Sequence, residues 1–258
     1  MPTPFYHLSV AEEILASPQL DPSVDSFLHA HKAAFLLGKT APDVQTLSGQ
    51  PRSETHFYRI PLTSSAAPWE KMFARYPQIG DPARMDPEQA AFISGYICHL
   101  QADIIWITDL FAPYFLPRIT RNYHKQVGYL HNVLRAYLDE RIVPDLQVDT
   151  GACLDSVDPA GWLPFVEDRW MQAWQHFLAE QLMPEAEIKT VEVFAARSDV
   201  AVDDFLALLH DEARMTEEVF AFVPREVLIE YRHKLVSANL ELLSKFLADL
   251  PVQGIRND

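Results

Sequence analysis

The chain has 258 residues, and its hydrophobic fraction of 48% suffices for a sizeable core in one large domain or two small ones. Its formal charge of −15 argues against extended nucleic-acid tracking and against electrostatic docking on anionic membranes, because both depend on clustered lysine and arginine. Only 8 glycines against 19 prolines favour a helix-rich chain whose connections are stiffened by proline.

Apolar residues at three- and four-residue spacing predict helices along most of the chain. In the first part we expect helices near 8–16, 22–37, 67–76 and 87–110, with a loop at 38–66 rich in Gly, Pro, Ser and Thr. In the second part we expect helices near 121–143, 158–182, 185–196, 201–222 and 224–249. The prediction is an all-α, multi-helix fold in a single domain, with a metal-binding half at 1–143 and a helical C-terminal half of unassigned role at 157–250.

The segment from 87 to 110 is the longest apolar helix, and with its continuation to 116 it reaches membrane-spanning length. Ionisable residues interrupt it, and placing them in lipid would cost several kcal/mol. We therefore interpret it as a buried central helix that Pro113 and Pro117 end. Two cysteines do not make a disulfide framework and no signal-peptide pattern opens the chain, so a cytoplasmic location is expected.

His99 and Asp103 lie four residues apart on this central helix, which puts both side chains on one face within reach of a single metal ion. Such a pair often arises by chance. Its weight comes from three further residues of metal-ligand type that precede it in the chain, His7, Asp43 and His56. Together the five form an ordered series of candidate ligands.

Four short blocks carry these residues: Tyr6-His7-Leu8, Leu37-Gly38-Lys39-Thr40-Ala41-Pro42-Asp43, Thr55-His56-Phe57-Tyr58 and Gly95-Tyr96-Ile97-Cys98-His99-Leu100-Gln101-Ala102-Asp103. In order and spacing the blocks resemble the zinc-dependent phospholipase C and single-strand nuclease superfamily. The resemblance covers residues 1 to about 110 and is poor beyond about 140.

The resemblance implies a helical fold whose cleft holds up to three zinc ions and hydrolyses a phosphoester. Carried over by position, one zinc would be surrounded by Asp43, His56, His99 and Asp103. A second would be held by His7 and a bridging Asp103, which makes Asp103 the central catalytic residue. Imidazole and carboxylate ligands suit zinc, and a zinc-activated hydroxide would attack the phosphorus. The implied substrate is a phospholipid or a small phosphoester, which the acidic charge favours over nucleic acid.

The chain departs from that family at two places. Classical members mature to an N-terminal Trp that binds zinc through its amine and carbonyl, whereas this chain opens with Met1. For a third zinc the available candidates are His124 and His131, but Arg135 stands where an acidic ligand is expected, and arginine cannot bind a metal. One or two zinc ions per chain are therefore expected.

Two other functions remain open. A phospholipase-like scaffold can keep a structural zinc, closed by four protein ligands, and serve as a helical binding protein without catalysis. Alternatively, the dipeptide His210-Asp211 on a predicted helix resembles the HD-type metal phosphohydrolases. That alternative predicts a metal site in the C-terminal half, whereas the resemblance to the phospholipases predicts a metal site in the N-terminal half.

Overall fold

A computed structural model describes residues 1–119, 124–248 and 250. Across this part of the chain the regular structure is helical and contains no strand, which confirms the predicted all-α fold. The α-helices are α1 Pro4–Leu15, α2 Pro22–Ala30, α3 Lys32–Gly38, α4 Gln45–Ser48, α5 Arg52–Thr55, α6 Pro68–Arg75, α7 Pro87–Trp106, α8 His124–Ile142, α9 Thr150–Asp155, α10 Asp168–Gln181, α11 Thr190–Ser198, α12 Val202–Leu209, α13 Glu212–Arg214 and α14 Arg225–Phe246.

Shorter helical turns connect several of these elements. Two π-helices, Ile107–Phe115 and Met215–Phe220, extend α7 and α13, and 3₁₀ turns occur at Ala41–Val44, Pro77–Ile79, Pro82–Arg84, Leu116–Arg118 and Val143–Asp145. The predicted loop at 38–66 therefore contains one 3₁₀ turn and the two short helices α4 and α5. The predicted helix at 22–37 is divided at His31, which caps α2 and α3 with a non-helical backbone. The predicted limits at 121 and 249 lie outside the described residues.

The central helix α7 has the environment that its composition predicted. Asp86 caps its first turn by accepting a hydrogen bond from the Glu88 amide at 2.9 Å. By length and composition the segment Pro87–Arg118 passes the test for a membrane span, but 89% of its most apolar window is buried inside the protein. The prediction that Pro113 ends the helix was wrong, because Pro113 lies inside the π-helix Ile107–Phe115. A proline removes a backbone donor and crowds the preceding turn, and the wider π turn accommodates both effects.

Helix α3 crosses α7 so closely that their backbones are in contact. A Cβ atom on Gly38 would lie 2.0 Å from the Phe92 carbonyl oxygen, and one on Gly95 would lie 2.2 Å from the Phe35 carbonyl oxygen. Only glycine at both positions allows the two backbones to touch. The crossing sets the distance between α7 and the turn that follows α3, which carries Asp43.

Replacing Gly95 with alanine is expected to lower the free energy of unfolding by at least about 3 kcal/mol, the upper range for overpacking, because a backbone oxygen cannot rotate aside. Gly128→Ala on the exposed face of α8 is the matched control: nothing lies within 4 Å of its added Cβ. There the change should raise stability by about 0.5–1 kcal/mol through helix propensity. Urea unfolding of both variants measures the difference, and equal stabilities would contradict the crossing.

Candidate metal centre

The five predicted ligands come from four separate elements. His7 lies on α1, Asp43 in the turn Ala41–Val44, and His56 directly after α5, while His99 and Asp103 share one face of α7. The four side chains other than Asp43 have no solvent exposure, and Asp43 is nearly buried. Five polar side chains of ligand type therefore converge in the interior of the protein.

Four of the ligand atoms form a compact group around His56. Its Nε2 atom lies 3.4 Å from Asp43 Oδ1, 3.4 Å from His99 Nε2 and 3.5 Å from Asp103 Oδ2. His99 Nε2 and Asp103 Oδ2 are 3.8 Å apart. Ligands at about 2.0–2.1 Å from a tetrahedral zinc are separated by roughly 3.4 Å. Ligand atoms of Asp43, His56 and His99 all lie within 4.8 Å of one another, so these three residues suit a single zinc ion, and Asp103 lies beside them.

A second group forms on the other side of Asp103. His7 Nε2 lies 3.7 Å from Asp103 Oδ1, and the His7 ring stacks on the His99 ring with centroids 3.8 Å apart. Both His7 ring nitrogens and Asp103 Oδ1 are buried without a hydrogen-bond partner among the residues that the structure describes. Unpartnered buried polar atoms are costly, and a cation between them would remove the cost. The two oxygens of Asp103 thus face two different groups.

Neighbouring residues fix the orientation of two of the imidazole rings. His99 Nδ1 donates to the carbonyl oxygen of Lys39 at 2.8 Å, which leaves His99 Nε2 as the atom that faces the centre. His56 Nδ1 lies 2.9 Å from the Thr55 hydroxyl, and its Nε2 faces the same point. Metal-binding histidines in proteins are commonly oriented by such a partner on the other ring nitrogen.

The imidazoles are neutral at physiological pH, the state that metal binding requires. Burial, aided by the nearby His99, lowers the pKa of His7 to about 3. Burial and the neighbouring Arg52 lower the pKa of His56 to about 4, and burial also lowers the pKa of His99. Each ring therefore offers a lone pair at pH 7.

The carboxylates of the centre are ionised. Burial raises the pKa of Asp103, but the Arg52 charge and the neighbouring His99, His7 and His56 together outweigh burial and bring that pKa well below its ordinary value. For Asp43 burial is likewise opposed, here by the hydrogen bond to His56 and by nearby charges, and the pKa is lowered. Three neutral nitrogens and two carboxylates make a donor set that suits zinc.

Arg52 is a site residue that sequence analysis missed. Its Nη2 atom donates to Asp103 Oδ2 and to the Tyr58 hydroxyl, and its Nη1 lies 3.4 Å from Asp43 Oδ1. Tyr58 in turn donates to Asp103 Oδ2 at 2.6 Å. The guanidinium thus lies against both carboxylates. A signal existed in the sequence, since Arg52 stands four residues before His56, but the segment was expected to be loop.

The two further histidines considered as metal ligands lie elsewhere. His131 Nε2 accepts a hydrogen bond from the indole of Trp106 at 3.0 Å, which occupies its lone pair. His124 is exposed at the start of α8. Arg135 donates to the Met1 carbonyl oxygen at 3.3 Å. Within the described parts of the chain, three or more ligand atoms converge in two groups, both built from the five N-terminal candidates.

The dipeptide considered for an HD-type site has a surface environment. His210 Nε2 lies 2.8 Å from Glu140 Oε1, and both side chains are partly exposed. Asp211 caps the short helix α13 by accepting from the backbone amides of Ala213 and Arg214. Neither residue belongs to a convergent group of ligands in the described structure.

Asp139 lies outside the metal centre, and its hydrogen bonds connect α8 with two other elements. It accepts hydrogen bonds from the Thr3 hydroxyl before α1 and, at 2.6 Å, from the Thr190 hydroxyl of α11. Burial raises the pKa of the Asp139 carboxyl to about 7. The folded protein therefore holds this proton over a pH range in which the unfolded chain releases it.

This difference predicts a pH-dependent stability. From about pH 4 to pH 7 the folded state binds a proton that the unfolded state has lost, so the free energy of unfolding falls as pH rises. The side chain of Asp139→Asn cannot titrate. Between pH 5 and 7 the free energy of unfolding of this variant, relative to that of the wild type, should therefore rise by about 1 kcal/mol per pH unit. Urea unfolding at four pH values measures this gain. Asp145→Asn at an exposed position is the control, and a gain of the same size there would contradict the role of burial.

Comparison with known proteins agrees with the geometry. A family model described as zinc dependent phospholipase C matches residues 6–147, more than half of the chain, and the match includes all five convergent ligands. Searches of the curated proteins and of the solved structures each found no match.

Proposed function

The chain belongs to the zinc-dependent phospholipase C family, and from that premise we propose that it is a hydrolase that cleaves a phosphoester bond with the help of bound zinc. The observation that carries the proposal is the convergence of ligand atoms on His56 Nε2, which lies 3.4–3.5 Å from atoms of Asp43, His99 and Asp103. A second group, with unpartnered His7 nitrogens, adjoins it through Asp103. A single structural zinc would not require that second group, which favours catalysis over a purely structural role.

In this proposal Asp43, His56, His99 and Asp103 would hold the first zinc, and His7 and Asp103 would hold the second. When bound, zinc supplies Lewis acidity that polarises a phosphoryl oxygen and lowers the pKa of an attacking water. Asp103 keeps the two cations together, and its charge is balanced by Arg52. No side-chain nucleophile is then needed.

Arg52 is the residue of this chain best placed to hold the substrate phosphate. Its side chain is 29% exposed, unlike that of Asp103, and it lines the adjoining cavity, so part of it is accessible to a ligand. Its Nε atom has no hydrogen-bond partner among the described residues. A planar guanidinium binds phosphate oxygens through paired hydrogen bonds, and bound cations would relieve it of neutralising two carboxylates. We infer that Arg52 orients the phosphoryl group beside the ligands.

The substrate we propose is a phospholipid or a small phosphoester. The net charge of −15 disfavours long anionic polymers, whereas a compact centre with bound cations can still attract one phosphate. Nucleic acid is the less favoured substrate for the same reason.

The test is a screen of the zinc-loaded full-length chain on phosphatidylcholine, short single-stranded DNA and nitrophenyl phosphoesters. We expect hydrolysis of lipid or small esters, loss of activity on chelation and recovery on adding zinc. Activity on single strands alone would assign the protein to the nuclease branch. If every substrate is inert while one zinc is closed by four protein ligands, the protein is a helical binding protein that keeps a structural zinc.

A further inference from the structure

A cavity that is partly open to solvent lies beside the metal centre, and it encloses about 690 Å³ of space including that open part. Asp43 and Arg52 belong to its wall, so the cavity adjoins the candidate ligands directly. The opposite wall comes from α10 and α11, which lie beyond the part of the chain that the family model matches. The C-terminal half therefore helps to build the approach to the site.

The cavity wall is strongly cationic although the protein is acidic. Four basic side chains line it, against the single carboxylate of Asp43: Arg52, Arg135, Lys189 and Arg197. In a chain with 36 acidic and 21 basic residues, such a concentration of basic groups is unexpected. The local field around the cavity is thus opposite in sign to that of the whole molecule.

Three of these cations have no carboxylate within ion-pair distance among the residues that the structure describes: Arg135, Lys189 and Arg197. They pack instead on aromatic rings, with Arg135 over Phe194 at 4.1 Å and Arg197 over the same ring at 5.8 Å. Three cations without an acidic partner around one cavity concentrate positive charge there, and this favours an anionic ligand.

Arg135 gives a second and independent sign of such a ligand. Its Nε atom is buried without a hydrogen-bond partner in the described structure. Burial and the charge of Arg197 lower the pKa of Arg135 to about 9, so the guanidinium is still cationic at neutral pH. A buried donor that carries a charge requires an acceptor, and an anion in the cavity would supply one.

The rest of the cavity is apolar. Phe5, Trp174, Leu178 and Phe194 are buried side chains of its wall, and prolines of the N-terminal segment join them. Such a surface favours contact with an alkyl or acyl chain, because burial of apolar area is the main source of affinity there. One end of the ligand is thus matched by cations and another by apolar rings.

We propose that this cavity binds an anionic amphiphile, a molecule with a phosphate-type anionic group and an apolar chain, and that Arg135, Lys189 and Arg197 recognise the anionic group. Binding of such a ligand does not depend on the proposed function. If the proposed function holds, the substrates are phosphoesters that carry a further negative charge next to an apolar portion, and this part of the inference rests on the proposed function. A ligand whose head group is purely cationic should bind least well, since it would meet three cations of the same sign.

Binding measurements on the zinc-loaded full chain test the proposal. The probes are octylphosphonate, whose C–P bond resists hydrolysis, octyltrimethylammonium, with a similar chain and opposite charge, and inorganic phosphate. We expect octylphosphonate to bind at least about tenfold more tightly than either of the others. Lys189→Gln/Arg197→Gln should weaken it by about tenfold or more, because each change removes a charge-assisted hydrogen bond.

Arg84→Gln/Lys245→Gln is the control, with the same change in net charge at exposed positions outside the cavity. Thermal unfolding verifies that both double variants are folded, and the single variant Arg197→Gln should show part of the loss. Equal affinity for inorganic phosphate and octylphosphonate would overturn the amphiphile assignment. Equal losses in both double variants, or none, would overturn the cavity as the site. Because the probe is not hydrolysed, these outcomes are separate from those of the activity screen.

Discussion

Asp103→Asn is expected to abolish phosphoester hydrolysis, with a loss of at least about 100-fold, the range seen even for residues one step removed from a metal. Asp103 is the residue shared by both groups of ligands, with Oδ2 facing His56 and His99 and Oδ1 facing His7. An asparagine keeps the size of the side chain but replaces one oxygen with an NH₂ group and removes the charge that balances two cations. The centre should then hold less zinc.

The same variant should remain folded. Removal of one member of a fully buried ion pair costs about 3–5 kcal/mol. Arg52, however, is 29% exposed and keeps Asp43 as a neighbour at 3.4 Å, so we expect a loss of about 1–2 kcal/mol in the free energy of unfolding. The activity should therefore fall far more than the stability.

Elemental analysis, activity and urea unfolding of Asp103→Asn separate these effects. The matched control is Asp109→Asn, the same change on the π-helix that continues α7, where the carboxylate pairs with Lys234 on the surface. The control should keep both its zinc and its activity. Full zinc content and full activity in Asp103→Asn would remove Asp103 from the centre.

Much of the site follows from local spacing. His99 and Asp103 lie on one face because a helix brings residues four apart together, and the apolar sequence around them made that helix predictable. Asp43 and His56 are different, since each is far from α7 in the chain. Their convergence depends on the contact of Gly38 with α7, a backbone approach that hydrophobic periodicity does not describe.

The sequence did not predict the electrostatic partners of the site. Arg52 became part of it because the segment expected to be loop forms the short helix α5, which points the guanidinium at Asp103. Arg135 was considered only as a residue that damages a third metal site. Its position in the cavity wall depends on how α8 packs against α11, which spacing within either helix cannot reveal.

The histidines illustrate the same limit. His131 has the residue type of a ligand and lies on a buried face of α8, yet the Trp106 indole donates to its Nε2. His7 has no such donor, and both its nitrogens are unpartnered in the described structure. Whether a buried histidine is available to a metal is decided by its neighbours in space, and these come from distant parts of the chain.

His7→Phe is expected to remove one zinc ion, and hydrolysis with it, without destabilising the metal-free protein. Phenylalanine keeps a ring that can stack on His99, which now lies 3.8 Å away, but it offers no ligand atom. Because the two His7 nitrogens are buried without partners, their loss should leave the free energy of unfolding of the metal-free protein unchanged or raise it by about 1 kcal/mol. The group around His56 remains intact and should still bind zinc.

Elemental analysis after dialysis should then give two zinc ions for the wild type and one for His7→Phe. His131→Phe is the control, since it replaces a buried histidine outside both groups of ligands and should leave the zinc content at two. It should instead lower stability by about 1–3 kcal/mol, because the Trp106 indole loses its buried acceptor. A wild type with only one zinc, or a His7→Phe variant that keeps two, would show that His7 and Asp103 Oδ1 do not hold a second ion. The unpartnered atoms around His7 would then need another ligand to account for them.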